Sequence, residues 1–447
     1  MDYPCLYFMR RYSLFFLIFF TGCASFLNTQ NVVEIAISHG DLRRAQQVLS
    51  KNYGKNNELL YLLDKGYVLH LAGDYSQSIE VLSRARRVFD DLYTKSLSKT
   101  AASFVFNDYT RDYAGEDYER AMINVFQAIN YAALNKWEDA LVEARDADSF
   151  FKAVSSQYAI GKNDVYDNDA FVRFFMGIVY EAGATSQDIN DAYVSYRQAL
   201  ELYKHGYYGI KTPDALKRNL LTLSQEIDPS EFRRLKAEFS GNYFMPLKEK
   251  AHKAQLYLVQ YNGLAPVKQE SFLIVPVPGD QRVIKVAVPK YVTRFVPDGG
   301  FKLSAVGANG KTFSDFSETA EDIVALATQA LEKHKAAFIV KTLGRNAARY
   351  AAEEKASDKI NKQYGDNVAL AFDVMTGIFS VLVEKADLRC SRLMPAEVRV
   401  AALILEPGEY EISFETTASS YKAQTQKFLG KISLKAGETR FLTVATY

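Results

Sequence analysis

The sequence predicts an α+β protein with more than one domain, in which α-helical repeats precede a β-rich domain. Three observations carry this prediction. Small residues recur at a fixed spacing in the N-terminal half, short runs of β-branched and aromatic residues begin near residue 254, and 447 residues suffice for two or three domains. A hydrophobic content of 48% is ordinary for a folded globular chain and excludes a wholly disordered one.

The N-terminal half carries imperfect copies of one pattern. The pair Gly40-Asp41 recurs 33 residues later as Gly73-Asp74, and each pair is followed by small and then larger apolar residues. Two further copies follow the same plan, with Ala128, Tyr131, Ala140, Ala144 and Ala147 in one and Gly177, Tyr180, Ala192, Tyr196 and Ala199 in the other. Small residues at these positions let two helices approach closely. The pattern predicts tetratricopeptide-like repeats over residues 23–250, with an unrelated helical bundle as the alternative.

In such repeats, the first helix of each pair lines a concave face. The residues expected on that face are largely apolar and aromatic: Leu63, Tyr67, His70, Val125, Ile129, Phe171, Phe174, Ile178 and Glu181. We expect the groove to be filled by the protein's own chain, and the alternative is an apolar peptide from a partner. Tyr67, Phe171 and Phe174 are the candidate partner-binding residues of this groove.

A polar, tyrosine-rich insert interrupts the repeat between residues 89 and 118. Insertions on a repeat scaffold often form functional loops, but here we expect a packed spacer, with a functional loop as the alternative. The candidate partner-binding residues of the insert are Tyr109, Tyr113, Glu116, Asp117 and Tyr118.

The N-terminus has the layout of an export signal. Arg10 and Arg11 precede an apolar run over residues 13–20, which is too short to span a bilayer, and Thr21-Gly22-Cys23 follows. Small residues directly before a cysteine are typical of the bacterial lipobox. We therefore predict a lipoprotein signal peptide over residues 1–22 and acylation of Cys23, with an ordinary signal peptide as the alternative.

The predicted acylation of Cys23 also indicates where in the cell the protein lies. Acylation at Cys23 gives a permanent membrane anchor, because several acyl chains bury many methylene groups. Ala24 resembles the sorting signal for the outer membrane, so we expect an outer membrane lipoprotein facing the periplasm. With Cys5 removed and Cys23 acylated, Cys390 is the one remaining thiol and no intramolecular disulfide can form.

From about residue 251 the pattern changes. Short runs such as 255–261 and 398–405 are rich in β-branched and aromatic residues and are separated by Pro, Gly and Asn-Gly, which predicts a β-sandwich-like domain over 251–447. We predict a helical insertion over about 318–385, because Glu318, Glu321 and Asp322 suit the start of a helix.

The sequence offers little for catalysis or nucleic-acid binding. The chain has 54 Lys and Arg against 53 Asp and Glu, so it lacks the basic excess of nucleic-acid-binding proteins. The five histidines are scattered: His39, His70, His205, His252 and His334. Residues 305–312 loosely match a phosphate-binding loop, but Asn309-Gly310 between two strand-like runs indicates a hairpin turn. We predict no metal, no cofactor and no enzymatic activity.

Five segments together resemble one family. They are YAGEDYE at 113–119, VEAR at 142–145, NGLAPVK at 262–268, ADLR at 386–389 and EPGEY at 406–410. In this layout the chain resembles a family of uncharacterised bacterial tetratricopeptide-repeat lipoproteins with a C-terminal β-rich domain. The resemblance covers nearly all of the mature chain. It implies the architecture and the envelope location, and it implies no activity.

The sequence therefore predicts a non-catalytic, lipid-anchored cell-envelope protein that acts as an adaptor or scaffold. Its expected partner is a protein, or alternatively an envelope polymer. The other function considered is an envelope enzyme or polysaccharide-handling factor that uses the acidic insert near 107–119. An enzyme should place Glu116, Asp117 and Glu119 in a deep cleft with perturbed acidity, whereas an adaptor should show them exposed or in structural hydrogen bonds.

Overall fold

The computed structural model describes residues 21–49, 53–98, 111–157, 169–276, 283–298, 300–364, 386–416 and 426–447. Within them the chain is a mixed α and β protein, as predicted: helices fill the N-terminal half and strands dominate the C-terminal half.

The N-terminal half consists of helices that pack in consecutive pairs. The paired helices are α1 (Thr21–Ser38), α2 (Leu42–Leu49), α3 (Glu58–Leu71), α4 (Tyr75–Ser98), α5 (Asp117–Ala133), α6 (Trp137–Gln157), α7 (Ala170–Gly183) and α8 (Ser186–Lys204). Each helix contacts its partner, and each pair contacts the next. The series closes with α9 (Asp214–Ile227), α10 (Pro229–Glu238) and the short α11 (Leu247–Lys250).

Small residues set the close spacing within the pairs. Gly66 on α3 lies directly against Leu82 on α4, so that a methyl group at position 66 would overlap the leucine. Gly177 on α7 lies in the same way against Tyr196 on α8. The fixed spacing in the sequence thus places a glycine at the contact between the two helices of a pair.

The C-terminal half forms three sheets. Its strands are β1 (Ala254–Asn262), β2 (Val267–Pro276), β3 (Val283–Val292), β4 (Phe301–Gly307), β5 (Thr312–Phe316), β6 (Glu318–Asp322), β7 (Glu397–Leu405), β8 (Gly408–Thr416), β9 (Gln426–Leu434) and β10 (Thr439–Thr446). The first sheet has the order β10-β1-β7-β6, the second has the order β5-β4-β8-β9, and β2 pairs with β3 alone. The pair β1–β10 is parallel, and the other pairs are antiparallel.

The start of the helical insertion differs from the prediction. The segment Glu318–Asp322 is strand β6, and helix α12 (Ile323–Tyr364) begins only afterwards; the predicted remainder, 365–385, lies outside the described residues. The strand forms because its backbone pairs with β7. The acidic residues nevertheless cap helices: Asp322 accepts a hydrogen bond from the backbone N–H of Ala325, and Glu318 accepts one from Asp214, the first residue of α9.

Residues 305–312 form a hairpin, as the turn residues predicted. Strand β4 pairs with β5, and Gly310 adopts a positive φ of 77° in the turn between them. Strand β5 follows this turn directly. The segment therefore lacks the helix N-terminus that holds the phosphate in a phosphate-binding loop.

The first sheet has a hydrophobic core on each face. Along β1, Tyr257 and Tyr261 point towards the helices, whereas Leu256 and Leu258 point towards the second sheet. This alternation follows from the two-residue period of a strand. The helices, the first sheet and the second sheet are therefore stacked layers, and the helices share their core with β1, β7 and β10.

Candidate functional site

The residues predicted to line the repeat groove are buried, and the apolar ones belong to the core that the helices share with the first sheet. Tyr67 is 1% exposed and packs against Tyr261 of β1, with ring centroids 5.7 Å apart. Phe171 and Phe174 are 0% exposed. The chain's own segments enclose these side chains, as we expected. The assignment of these three residues to partner binding is therefore corrected: side chains enclosed in a core present no surface to a partner.

Several polar groups inside this core are paired with one another. His70 contacts the Asn130 side chain through Nδ1 at 2.6 Å and the Tyr261 hydroxyl through Nε2 at 2.8 Å. Burial lowers the pKa of His70 to about 4, so the imidazole is neutral at neutral pH. Glu181 forms a buried ion pair with Lys250. The His70–Tyr261 contact joins α3 to β1, and the Glu181–Lys250 pair joins α7 to α11.

The predicted insert is described only in its last part. Tyr109 lies outside the described residues, whereas residues 111–116 lead into α5. The helix begins with a capping box: the Glu116 side chain accepts a hydrogen bond from the third helical residue, and the Glu119 carboxylate accepts the N–H of Glu116 at 3.0 Å. The acidic residues of the insert therefore start a helix.

The tyrosines of the insert are not exposed. Tyr113 and Tyr118 are both buried, and the Tyr113 hydroxyl donates to the Glu119 carboxylate at 2.8 and 2.9 Å. Glu116 is half-buried and pairs with Lys268 of β2 at 2.6 Å. The assignment of Tyr113 and Tyr118 to partner binding is thus corrected, because burial removes both from the surface. Asp117 is half-buried, and burial raises its pKa to about 6.

A residue that the sequence did not single out joins two buried carboxyl groups. Ser391 donates its backbone N–H to Glu119 at 2.9 Å and its hydroxyl to Asp64 of α3 at 3.1 Å. Asp64 also accepts the Tyr53 hydroxyl at 2.6 Å. Burial raises the pKa of Glu119 and of Asp64 to about 7 in each case, although the hydrogen bonds act in the opposite direction.

The residues next to Ser391 strengthen this junction. Arg389 binds Asp387 at 2.6 Å and donates to the backbone carbonyls of Asn56 and Arg111 at 3.1 and 2.9 Å. Cys390 is buried, and its thiol lies 3.9 Å from the carbonyl oxygen of Pro266. The segments 113–119, 262–268 and 386–389, on which the family resemblance rests, thus meet around Ser391 in the folded chain.

We call Asp64, Glu116, Glu119, Lys268 and Ser391 the junction cluster. Its members come from α3, the start of α5, β2 and the segment before β7, and their hydrogen bonds join these four pieces. Glu116 has a cation for a partner, and Glu119 accepts donors on both oxygens. This arrangement favours a structural role for the carboxyl groups. Because burial raises the pKa of Asp64 and of Glu119 to about 7, these two groups gain or lose a proton near neutral pH.

The described residues contain neither a metal-binding cluster nor a helix that could span a membrane. Within them, no group of three or more His, Cys, Asp or Glu side chains is arranged to hold a metal ion. Likewise, none of the described helices is both long and apolar enough to cross a bilayer. Cys23 lies in α1, and its acylation stays a prediction.

Comparisons with known proteins do not assign this chain to a family. No protein-family model matches the sequence, and no curated protein matches it either. A crystal structure of BtubC (BKLC) from P. vanneervenii is similar over 49% of this chain and 82% of its own length, with 16% sequence identity and a TM-score of 0.30. A likeness at this TM-score carries no argument about function. The functional proposal therefore rests on the sequence motifs and on the geometry of the chain.

Proposed function

We propose that the protein is a non-catalytic, lipid-anchored adaptor of the bacterial cell envelope, built from tetratricopeptide-like repeats and a β-sandwich-like domain. The Thr21-Gly22-Cys23 motif supports the anchor, and Ala24 supports sorting to the outer membrane. The anchor fixes one end of the chain at the membrane and leaves the folded part in the periplasm.

The packing of the helix pairs supports the repeat assignment. The glycine contacts at Gly66 and Gly177 fall at the same place in two different pairs, on the first helix of each. Ala85, Ala144 and Ala199 on the second helices are fully buried. Recurrent small residues at the contact between two helices are typical of this repeat class.

The geometry of the acidic residues favours an adaptor over an enzyme. Glu116, Asp117 and Glu119 are the residues that an envelope enzyme would use for acid–base chemistry. Glu119 accepts structural hydrogen bonds from three groups, and Glu116 is bound to Lys268. A catalytic carboxyl group must reach its substrate within hydrogen-bonding distance, and the Glu119 carboxyl is enclosed by its own chain.

The β2–β3 hairpin is the observation that carries the adaptor proposal. These two strands form a sheet of their own. On β2, Leu273 is 37% exposed and Ile274 is 70% exposed, although neighbours on a strand point to opposite faces. Val286 and Ala287 of β3, which pair with Leu273 and Phe272, are buried, so the exposed apolar side chains at this level are those of β2. Phe272 beside them is 43% exposed, and a run of exposed apolar residues is typical of a protein contact.

Site-specific photo-crosslinking in intact cells tests the adaptor function. A photoreactive amino acid at position 274 should give an adduct with one defined protein, because the apolar hairpin would face its partner. The matched control is Val194, which is also a half-exposed aliphatic residue but lies on α8. Adducts at 274 and none at 194 support the proposal. The absence of a defined adduct at 274, or the same adducts at both positions, would contradict it.

A further inference from the structure

The segment 386–394 is held on the helices by the Arg392–Glu34 ion pair together with hydrogen bonds from Ser391 to two buried carboxyl groups. Ser391 donates hydrogen bonds to both Asp64 and Glu119, so the protonation state of each carboxyl group affects the contacts of this one residue. Both carboxyl groups are 0% exposed. The segment itself lies buried between α3, α5 and β2, with Cys390, Leu393 and Met394 almost fully enclosed.

The cations near the two carboxyl groups are bound to other anions. Lys268 pairs with Glu116 at 2.6 Å, and Arg389 pairs with Asp387 at 2.6 Å. Arg392 and Arg294 both pair with Glu34 of α1, at 2.8 and 3.0 Å. Among the described residues, no salt bridge reaches Asp64 or Glu119. An ionised carboxylate in such a place bears the full cost of burial, offset in part by its hydrogen bonds.

The titratable groups around the two carboxyl groups are neutral tyrosine and cysteine side chains and two anions, Glu34 and Glu116, which are paired with cations. Those facing Asp64 are Tyr53 and Glu34. Those facing Glu119 are Tyr113, Glu116, Tyr118, Tyr291 and Cys390. Glu116 and Glu34 are the nearest anions, and each makes ionisation of its neighbour less favourable.

We infer that Asp64 and Glu119 form a pH-sensitive clasp, which holds the segment 386–394 on α3 and α5 in mildly acidic conditions and loosens it in mildly alkaline conditions. The proton-bound form lets both carboxyl groups stay buried beside Ser391. When both are ionised, opening of the segment hydrates the two charges and lowers their free energy. This device goes beyond the adaptor function and does not depend on the lipid anchor.

The sign and size of the effect follow from linkage. The pKa of each carboxyl group is raised by burial to about 7 in the closed form and returns towards its ordinary value in the open form. The closed form is therefore favoured at low pH and loses this advantage as the pH rises through 7. Between pH 6 and pH 8, each group should increase the opening equilibrium about 10-fold, and both together should increase it about 100-fold.

Hydrogen exchange of the full-length protein tests the clasp. The readout is the protection factor of the amides in 386–394, which includes the Ser391 N–H that Glu119 accepts, corrected for the intrinsic pH dependence of exchange. Amides of β1 in the same molecule report unfolding of the whole chain. We expect protection in 386–394 to fall by about 100-fold between pH 6 and pH 8, well beyond any change in β1.

Two variants and one matched control separate the clasp from general pH effects. Glu119→Gln and Asp64→Asn mimic the neutral form, and each should reduce the pH dependence to about 10-fold. Glu143→Gln is the control, because Glu143 is also a buried carboxyl group whose pKa burial raises to about 7, but it lies on α6 beside Arg86. This control should leave the pH dependence in 386–394 unchanged.

The wild-type result alone decides the proposal if a variant fails to fold. Protection in 386–394 that changes less than about threefold, or that only follows β1, would overturn the clasp. An undiminished pH dependence in both folded variants would overturn it as well.

Discussion

Glu119 at the start of α5 accepts a hydrogen bond from the backbone N–H of Ser391, 272 residues further along the chain. This contact joins the helical half of the protein to the segment that leads into β7. It also explains why motifs that are far apart in the sequence are found together in the structure: each contributes a donor, an acceptor or a charge to one junction.

We predict that Glu119→Ala destabilises the protein. The change leaves the Ser391 N–H, the Glu116 N–H and the Tyr113 hydroxyl without their acceptor, and the loss should amount to about 3 kcal/mol or more. Denaturant melts measure the free energy of unfolding. Glu138→Ala on the exposed surface of α6 is the control and should cost little. Equal effects of the two changes would rule out the junction as a stabilising contact.

A second prediction concerns the helix pairs. Gly177→Ala should lower the free energy of unfolding by about 1–3 kcal/mol, because the new methyl group would overlap Tyr196. Gly344→Ala is the matched control: this glycine also lies within a helix, but a Cβ there meets no neighbour, and alanine should stabilise the helix by up to about 1 kcal/mol. Opposite signs are expected in thermal melts, and a stabilising effect at position 177 would contradict the close packing.

The filled groove leads to a third prediction. Phe174 is enclosed in the core, so Phe174→Ala should cost about 3–5 kcal/mol, as other truncations of core aromatic residues do. Phe295→Ala is the control, because Phe295 is 76% exposed and should contribute little. Urea melts of both variants compare the two costs. A nearly unchanged melt for Phe174→Ala would indicate an open groove.

Much of the helical half could be predicted from the sequence because its signals are local. The glycine and alanine positions recur at fixed spacing, and their contacts join neighbouring helices. The filling of the groove could not be predicted in detail, since Tyr67 meets Tyr261 across 194 residues of sequence. The sequence around the groove residues does not indicate which distant strand will cover them.

The insert shows that amino-acid composition alone does not distinguish an exposed segment from a buried one. A polar, tyrosine-rich segment is compatible with a functional loop or with a packed spacer, and the burial of Tyr113 and Tyr118 agrees with the spacer. The Glu116-x-x-Glu119 spacing could have identified a helix start, because carboxylates three residues apart can form a capping box. Asp64 and Ser391 gave no such signal, since an isolated polar residue in a sequence does not reveal its distant partner. Glu318 likewise caps α9 rather than its own helix.

A fourth prediction concerns stability in acid. Burial lowers the pKa of His70 from 6.5 to about 4, so the fold favours the neutral imidazole. This contribution to stability is fully present above the unfolded pKa and is lost as the pH falls from 6.5 towards 4. The loss should be about 3 kcal/mol. His70→Gln should therefore show a weaker decrease of the unfolding free energy over this range, measured by urea melts at several pH values. His252→Gln, at an exposed position, should retain the wild-type slope.

The proposed lipid anchor underlies the envelope location, and metabolic labelling tests it most directly. Cells that express the protein are grown with an alkyne fatty acid, and the purified chain is examined for the label. The wild type should be labelled and recovered from membranes, whereas Cys23→Ala should carry no label, because the thiol at position 23 is the acyl acceptor. Cys390→Ala should be labelled like the wild type, since that buried thiol lies in the folded core. Equal labelling of the wild type and Cys23→Ala would contradict a lipid anchor at this residue.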